Sequence, residues 1–171
     1  AHLARLLHEH GAELVVADIN EDLVQELVDS CGARAANIDE ILLLPCDILA
    51  PCALGGILDS EVIGRMQARI VCGAANNQLE NPTIDGTLLL DRGILYAPDF
   101  IVNAGGLIHL VGTYLEMSEA ELEAKINEIE LTTSHILEIS ADRMIAGNQA
   151  AMELARHRIR TGSVEERLHA G

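Results

Sequence analysis

Positive charge is scarce in this sequence. Eleven lysines and arginines stand against 27 aspartates and glutamates, a formal charge of −16 over 171 residues, and the single lysine is Lys125. Such a chain repels a phosphate backbone instead of releasing its counterions, so nucleic acid is not an expected partner. Cysteine is sparse as well. Cys31, Cys46, Cys52 and Cys72 contain no CxxC spacing, which excludes a disulfide framework, calls for no metal, and fits reduced thiols in the cytoplasm. There is no signal peptide, internal repeat or low-complexity tract, and no G-x-G-x-x-G fingerprint. One run approaches the length of a membrane span: Ile41 to Leu58, with Asp47 as its only charge. Pro45, Pro51, Gly55 and Gly56 interrupt it, so a fully buried parallel strand with its exit loop is the better reading, and no membrane partner is expected.

What is present is an alternation of short apolar strands and amphipathic helices. AHLARLLHEH opens inside a helix, with Leu3, Leu6, Leu7 and His10 at helical spacing and Gly11 where a helix-ending glycine belongs. Beginning at Ala1 in mid-pattern, the chain is expected to be a fragment. ELVVADIN follows as a strand, Leu14–Ala17, ending on Asp18. Asn20 then caps a helix whose Leu23, Val24, Leu27 and Val28 form a stripe before Gly32. Further strands are expected at Arg34–Ala36, Asp47–Ala50, Arg69–Gly73 and Ile94–Ala97, with helices at Glu61–Gln67 and Thr83–Asp91. This pattern predicts an α/β fold, a doubly wound, Rossmann-like parallel sheet covered on both faces. From Ser118 the pattern changes. Leu122, Ile126, Ile129, Thr133 and Ile136 keep helical spacing behind a Ser118/Glu121 capping box. A second helix is expected near Asn148–Ile159, and Arg160–Gly171 is expected to fray. The domain reading is therefore a dinucleotide-binding part, residues 1–117, followed by a C-terminal helical segment, residues 118–171.

In a doubly wound sheet, ligands bind beyond the carboxyl ends of the strands. Asp18 stands where a carboxylate accepts hydrogen bonds from an adenosine ribose, and its charge would repel the extra phosphate of NADP. The same position suits an alternative reading equally, in which Asp18 and Asn20 cap the next helix. A G-x-G-x-x-G turn would lie roughly 20 residues before such an acid, which here falls at or before Ala1. The loop after the Asp47 strand, Pro51-Cys-Ala-Leu-Gly-Gly56, is built of small residues that let backbone approach a flat ligand. The next loop, Cys72-Gly-Ala-Ala-Asn-Asn-Gln-Leu79, carries Asn76 and Asn77. Their amides suit a nicotinamide and an amino acid, although adjacent asparagines after a strand also make an ordinary turn. A third loop, Tyr96 to Gly106, is too apolar for a surface turn.

The strings DILAPCALGG, ANNQL, RGILYAPDFIVNAGG and LIHLVG, in that order and spacing, resemble the glutamate/leucine/phenylalanine/valine dehydrogenase family. The resemblance covers nearly the whole chain and is closer to the leucine/phenylalanine/valine branch. It implies a homo-oligomeric, cytoplasmic enzyme that oxidises an L-amino acid by hydride transfer from Cα to NAD, the imino acid then hydrolysing to a 2-oxo acid and ammonia. It further implies that the sheet here lacks its first strand, the third fingerprint glycine standing immediately before Ala1. Carried over by residue, it makes Asp18, Ile19, Cys52, Ala53, Leu54, Ala75 and Asn76 cofactor-binding, and Asn76, Asn103, Leu107 and Leu110 substrate-binding. No residue here is expected to be catalytic, because the family's catalytic lysines and aspartate belong to an N-terminal domain. Lys125 reads as a solvated surface lysine. These residues alone are therefore expected to be inactive.

Leu107 and Leu110 make an aliphatic pocket, favouring leucine, valine or isoleucine, while IHLVG is shared with phenylalanine-type relatives. Glutamate would need positive charge that neither leucine offers. His109 lies between them, and because neighbouring residues on a helix point about 100° apart it is expected to face packing or solvent. The remaining histidines, His2, His8, His10, His135, His157 and His169, read as surface residues. The alternative reading of the whole is a non-catalytic nucleotide-binding or regulatory module.

Overall fold

The computed structural model describes the backbone of residues 1–168 and the side chains of residues 1–161. The chain forms two compact units, Ala1–Pro45 and Cys46–Gly171. In the first, α1 (His2–Glu9) and α2 (Glu21–Cys31) flank a two-stranded parallel sheet of β1 (Val15–Val16) and β2 (Arg34–Ala35). Asn20 caps α2, its side chain accepting the Asp22 and Leu23 N–H groups. Gly32 ends the helix at φ 63°, a conformation that a side chain would penalise. Leu27, Cys31 and Ala33 are the core of this unit, with Ala4, Leu14 and Val16 packed against them. An ion pair between Arg5 and Glu26 joins the two helices at the surface.

The second unit is built on a three-stranded parallel sheet, order β3-β4-β5, from β3 (Cys46–Leu49), β4 (Ala68–Val71) and β5 (Leu95–Tyr96). Two crossover helices connect the strands, α3 (Ser60–Arg65) and α4 (Pro82–Asp91). Asn81 caps α4 and Pro82 enters its first turn, where the missing N–H costs nothing. Arg92 holds the end of α3 by donating to the carbonyls of Ile63 and Met66. The buried Asp85 accepts from the Ser60 hydroxyl and the Asn81 N–H, both at 2.6 Å, which ties α3 to α4. Short α5 (Asp99–Val102) and α6 (Gly105–Tyr114) lead to the long helices α7 (Glu119–Arg143) and α8 (Gly147–Leu168). The predicted Ser118/Glu121 capping box is present at the start of α7. Ile136, Ala150 and Ala151 form the buried seam between α7 and α8, joined by Ile101, Ile139, Ile145 and Leu154.

The α/β class, the parallel pairing and the helical C-terminal region are as the sequence predicts. The strands pair as two sheets, with no ladder between β1 or β2 and β3–β5 among the described residues, which agrees with the expectation of a sheet lacking its first strand. Two details differ. The run Ile41–Leu58 is not a fully buried strand. It begins with a 3-10 turn at Ile41–Leu43, and β3 has only β4 beside it, which leaves Ile48 54% exposed. Finally, α8 continues to Leu168, past the expected end at Ile159 and through Gly162; the rest of the expected frayed end and the surface position of His169 lie outside the described residues. No helix among the described residues is long and apolar enough to cross a membrane.

The α7/α8 seam gives a test of where this unit keeps its stability. Ile136→Ala, at a fully buried position, is expected to cost about 2–5 kcal/mol through lost burial and the cavity left behind. Leu131→Ala, on an exposed face of the same helix, should stay within about 0.5 kcal/mol. Urea midpoints of the two variants check the difference, and equal midpoints would contradict this account of the seam.

Candidate functional site

In the second unit, the loops that leave β3, β4 and β5 at their carboxyl ends are bonded to one another. Past the last residues of the strands, Cys72 N–H donates to Leu49 O at 3.0 Å and Ala75 N–H to Pro51 O at 2.9 Å. Gly56 N–H donates to Asn77 O at 2.7 Å, and Ala97 N–H to Val71 O at 3.0 Å. Backbone meets backbone so closely that side chains are excluded at two positions. A Cβ on Gly73 would lie 2.2 Å from Pro51 O, and one on Gly55 would lie 2.5 Å from Asn76 O. These glycines are required by close approach, whereas Gly56 at φ 69° is required by its backbone conformation.

This scaffold brings Asn76 and Asn103 together from loops 27 residues apart, the Asn103 Nδ2 donating to Asn76 Oδ1 at 2.6 Å. Among the described residues each amide keeps one half unused, Asn76 Nδ2 as donor and Asn103 Oδ1 as acceptor. Asn103 sits at the end of α5, its own N–H bonded to Asp99 O at 2.9 Å. Next to it α6 starts, and Leu107 and Leu110 project from it 64% and 68% exposed. Val111 and Tyr114 extend the same exposed apolar stripe. The opposite side of α6 is pinned: a Cβ on Gly112 would meet Leu122 Cδ2 at 2.2 Å. His109 is exposed, as helical geometry requires.

Beneath the asparagines lies a buried polar group. Gln78 is 0% exposed, and its Nε2 donates to the carbonyls of Gly73 at 2.7 Å and Ala75 at 3.0 Å. Its backbone N–H donates to Asp99 Oδ2 at 3.3 Å, and the Tyr96 hydroxyl donates to Asp99 Oδ1 at 3.2 Å. Burial and the neighbouring Asp99 push the Tyr96 phenol far above its ordinary range, so it remains a proton donor at all working pH values.

Residues 3–164 match the family model described as Glutamate/Leucine/Phenylalanine/Valine dehydrogenase. The chain belongs to that family. The L-tryptophan dehydrogenase of Nostoc punctiforme is 42% identical over 158 residues, which are 92% of this chain and 45% of that protein. A crystal structure of L-tryptophan dehydrogenase from Nostoc punctiforme matches with a TM-score of 0.89, covering 92% of this chain and 48% of that one. The leucine dehydrogenase of Geobacillus stearothermophilus is 38% identical over 160 residues, 94% of this chain and 43% of that protein. The chain thus spans less than half the length of these curated relatives.

Against the residues singled out from the sequence of this dehydrogenase-family chain, the structure sorts the candidates. Asn76, Asn103, Leu107 and Leu110 belong to one region of the second unit. Cys52, Ala53 and Leu54 lie exposed on the neighbouring loop. Ala75 is buried, its N–H taken by Pro51 and its carbonyl by Gln78. In the first unit, Ile19 is 90% exposed beside Asp18, whose Oδ1 accepts the Asn20 N–H at 2.9 Å. Asp18 therefore does act within the turn before α2, and its carboxylate is still exposed. Lys125 pairs with Glu128 on the surface of α7. No group of three or more His, Cys, Asp and Glu among the described residues is arranged to hold a metal. Sequence reasoning passed over Gln78, Asp99 and Tyr96; the available signal was Asp99 itself, a lone acid inside the apolar run Tyr96–Val102 that had to be buried with partners.

The cysteines report on this loop region chemically. Cys52 is exposed and Cys31 buried, while burial, with Cys52 nearby, raises the Cys72 thiol above its ordinary range. Burial and Asp47 do the same to Cys46. A raised thiol holds less thiolate at a given pH, so it alkylates later as pH rises. Iodoacetamide at pH 8 should label Cys52 first, Cys46 and Cys72 more slowly and Cys31 last, followed by peptide mass spectrometry. Equal rates for Cys52 and Cys72 would count against the packing described for the two loops.

Proposed function

We propose that these residues are the cofactor-binding part of an NAD-dependent L-amino-acid dehydrogenase, working with the further length that the relatives possess. The Asn76–Asn103 pair is the observation that carries the reading. Its unused donor and acceptor complement a carboxamide, or the amino and carboxylate groups of an amino acid, and they sit at the carboxyl end of a parallel sheet where such ligands bind. The residues fit the cofactor in kind: small exposed side chains at Cys52 and Ala53, an apolar one at Leu54, and amides at Asn76 and Asn103. Ala75 contributes from below by holding the loop. Asp18 is assigned to the adenosine ribose, with exposed Ile19 beside it offering an apolar surface. When bound, NAD supplies the hydride acceptor.

The chain's own residues bind and orient. Asn103 holds the substrate, Asn76 stands between substrate and nicotinamide, and Leu107 and Leu110 surround the substrate side chain and keep water from it. Proton transfer is assigned to the lysines and aspartate that the family resemblance places in another domain. The 171 residues alone are accordingly proposed to be inactive, and the complete protein to be a cytoplasmic homo-oligomer. An aliphatic stripe of Leu107 and Leu110 favours leucine, valine or isoleucine as substrate. A second reading, an aromatic amino acid, draws on the similarity to the L-tryptophan dehydrogenase and on Tyr114 further along the same stripe.

Two experiments test this. The complete coding sequence, expressed and assayed at alkaline pH, should reduce NAD with branched-chain amino acids, and more efficiently than with phenylalanine or tryptophan. Preference for tryptophan would select the second reading, and no turnover with any of them would sink the dehydrogenase reading. In the same enzyme Asp18→Asn should lower kcat/KM for NAD by about tenfold, the worth of a charged hydrogen bond to a ribose hydroxyl, and lower it less or not at all for NADP. An unchanged ratio of the two would return Asp18 to a purely capping role.

A further inference from the structure

We infer that Gln78, Asp99 and Tyr96 form a buried brace that positions Asn76 against Asn103. The inference rests on the reading of those two asparagines as the ligand contacts, and it assigns a role to three residues that touch no ligand themselves. Gln78 is the crossing point. Through its side chain it holds the carbonyls of Gly73 and Ala75, the residues that lead into Asn76. Through its main chain it is bonded to the Asp99 carboxyl, which opens the short helix ending on Asn103. One residue thus spans both elements whose side chains must meet.

The energetics favour a positioning role over simple packing. Gln78 is fully buried with its Oε1 lacking a hydrogen-bond partner among the described residues, a position at which an apolar side chain would avoid a desolvation cost. Its Nε2 spans two carbonyls that belong to no regular element and would otherwise be held only by a loop. Asp99 needs its partners for the same reason. Its two oxygens accept from Tyr96 and from Gln78, and its own N–H donates to the Tyr96 hydroxyl at 3.4 Å, so the hydroxyl acts in both directions. A buried network is held to one geometry when its members are paired in this way. Here the geometry fixed is the separation of two loops.

The test uses side-chain amide NMR signals of the 171-residue chain. In the wild type the Asn103 Nδ2 protons should be split widely, one of them hydrogen-bonded to Asn76. Gln78→Met, which keeps the volume and removes the two donated bonds, should collapse that splitting toward the free value and weaken protection of the pair by about tenfold. Ile63→Val, at a fully buried position in α3, serves as the control and should leave Asn103 unchanged although it also destabilises. If Gln78→Met does not fold, Tyr96→Phe carries the test, because it removes one hydroxyl from the brace and should shift the same signals partway. Asn103 signals unmoved in a folded Gln78→Met, or in Tyr96→Phe, overturn the inference. Adding NAD separates the two claims. This is done in the complete protein: if the wild-type signals do not respond to NAD there while Gln78→Met still disrupts them, the cofactor reading fails and the brace stands. In the complete enzyme, Gln78→Met should lower kcat by more than it raises KM for NAD, because adenosine contacts elsewhere are untouched; proportional loss in both would mark Gln78 as merely structural.

Discussion

The hydrogen bonding that joins β3, β4 and β5 does not end where the strands do. Cys72, Ala75 and Ala97, which have already left the sheet, still donate to Leu49, Pro51 and Val71. Loops ordinarily trade such bonds for water and gain mobility. These are instead laid against each other, and Gly73 and Gly55 permit the contact because a methyl group has no room there. The backbone that emerges is nearly as constrained as a strand. A short amide such as Asn76 can then be aimed at a partner on a third loop without a long side chain to reach it, and little conformational entropy remains to be lost on binding.

Much of this was legible from residue order, and the limits have physical causes. Local signals survived: Asn20, Asn81 and Ser118 cap the helices that follow them, and Gly32 ends one. Capping is decided by residues within a turn of each other, so sequence spacing captures it. Strand pairing is not local. The alternation of apolar residues alone does not say that β1 and β2 pair only with each other, or that β3 has a neighbour on one side only; the family resemblance, with its missing first strand, implied both. For the same reason the apolar run from Ile41 suggested complete burial: hydrophobicity states a preference, whereas the exposure of Ile48 is set by which strands flank it. Residues beyond Ile159 were read as weakly structured because they are polar, yet polarity and helix propensity are separate properties.

The site shows the same division. Asn76, Asn103, Leu107 and Leu110 were found through motifs, and the family match over residues 3–164 agrees with the resemblance those motifs carry. Their partnership was not written in any motif. Asn76 and Asn103 meet only because parallel strands deliver their loops to one end of the sheet. Gln78 lay inside the string ANNQL and drew no attention beside two asparagines, since a glutamine in a loop reads as solvated. Only its complete burial separates it from them. Asp18 stayed ambiguous for a different reason: one carboxylate oxygen does bond within the turn, and a carboxylate has acceptor capacity left over. Capping and ribose binding were never exclusive.

Helix α6 bears on what decides substrate choice. Its two sides are 100° per residue apart in register, so Gly112 lies nearly opposite Leu110 and well away from Leu107. On the Gly112 side the helix rests against Leu122 with no space for a single carbon. Leu122 is buried at the start of α7 behind a complete capping box, which opposes movement of α6 in that direction. On the proposed reading, the width of the pocket on this wall is set by the leucine side chains more than by helix movement. Hydrophobic discrimination of that kind is worth about 1–3 kcal/mol per methylene, enough to rank branched-chain substrates but shallow enough to be reversed by one residue. A tryptophan dehydrogenase and a leucine dehydrogenase stand at 42% and 38% identity to this chain, so overall similarity does not separate the two substrates, and on the proposed reading the difference falls to a few side chains along this stripe.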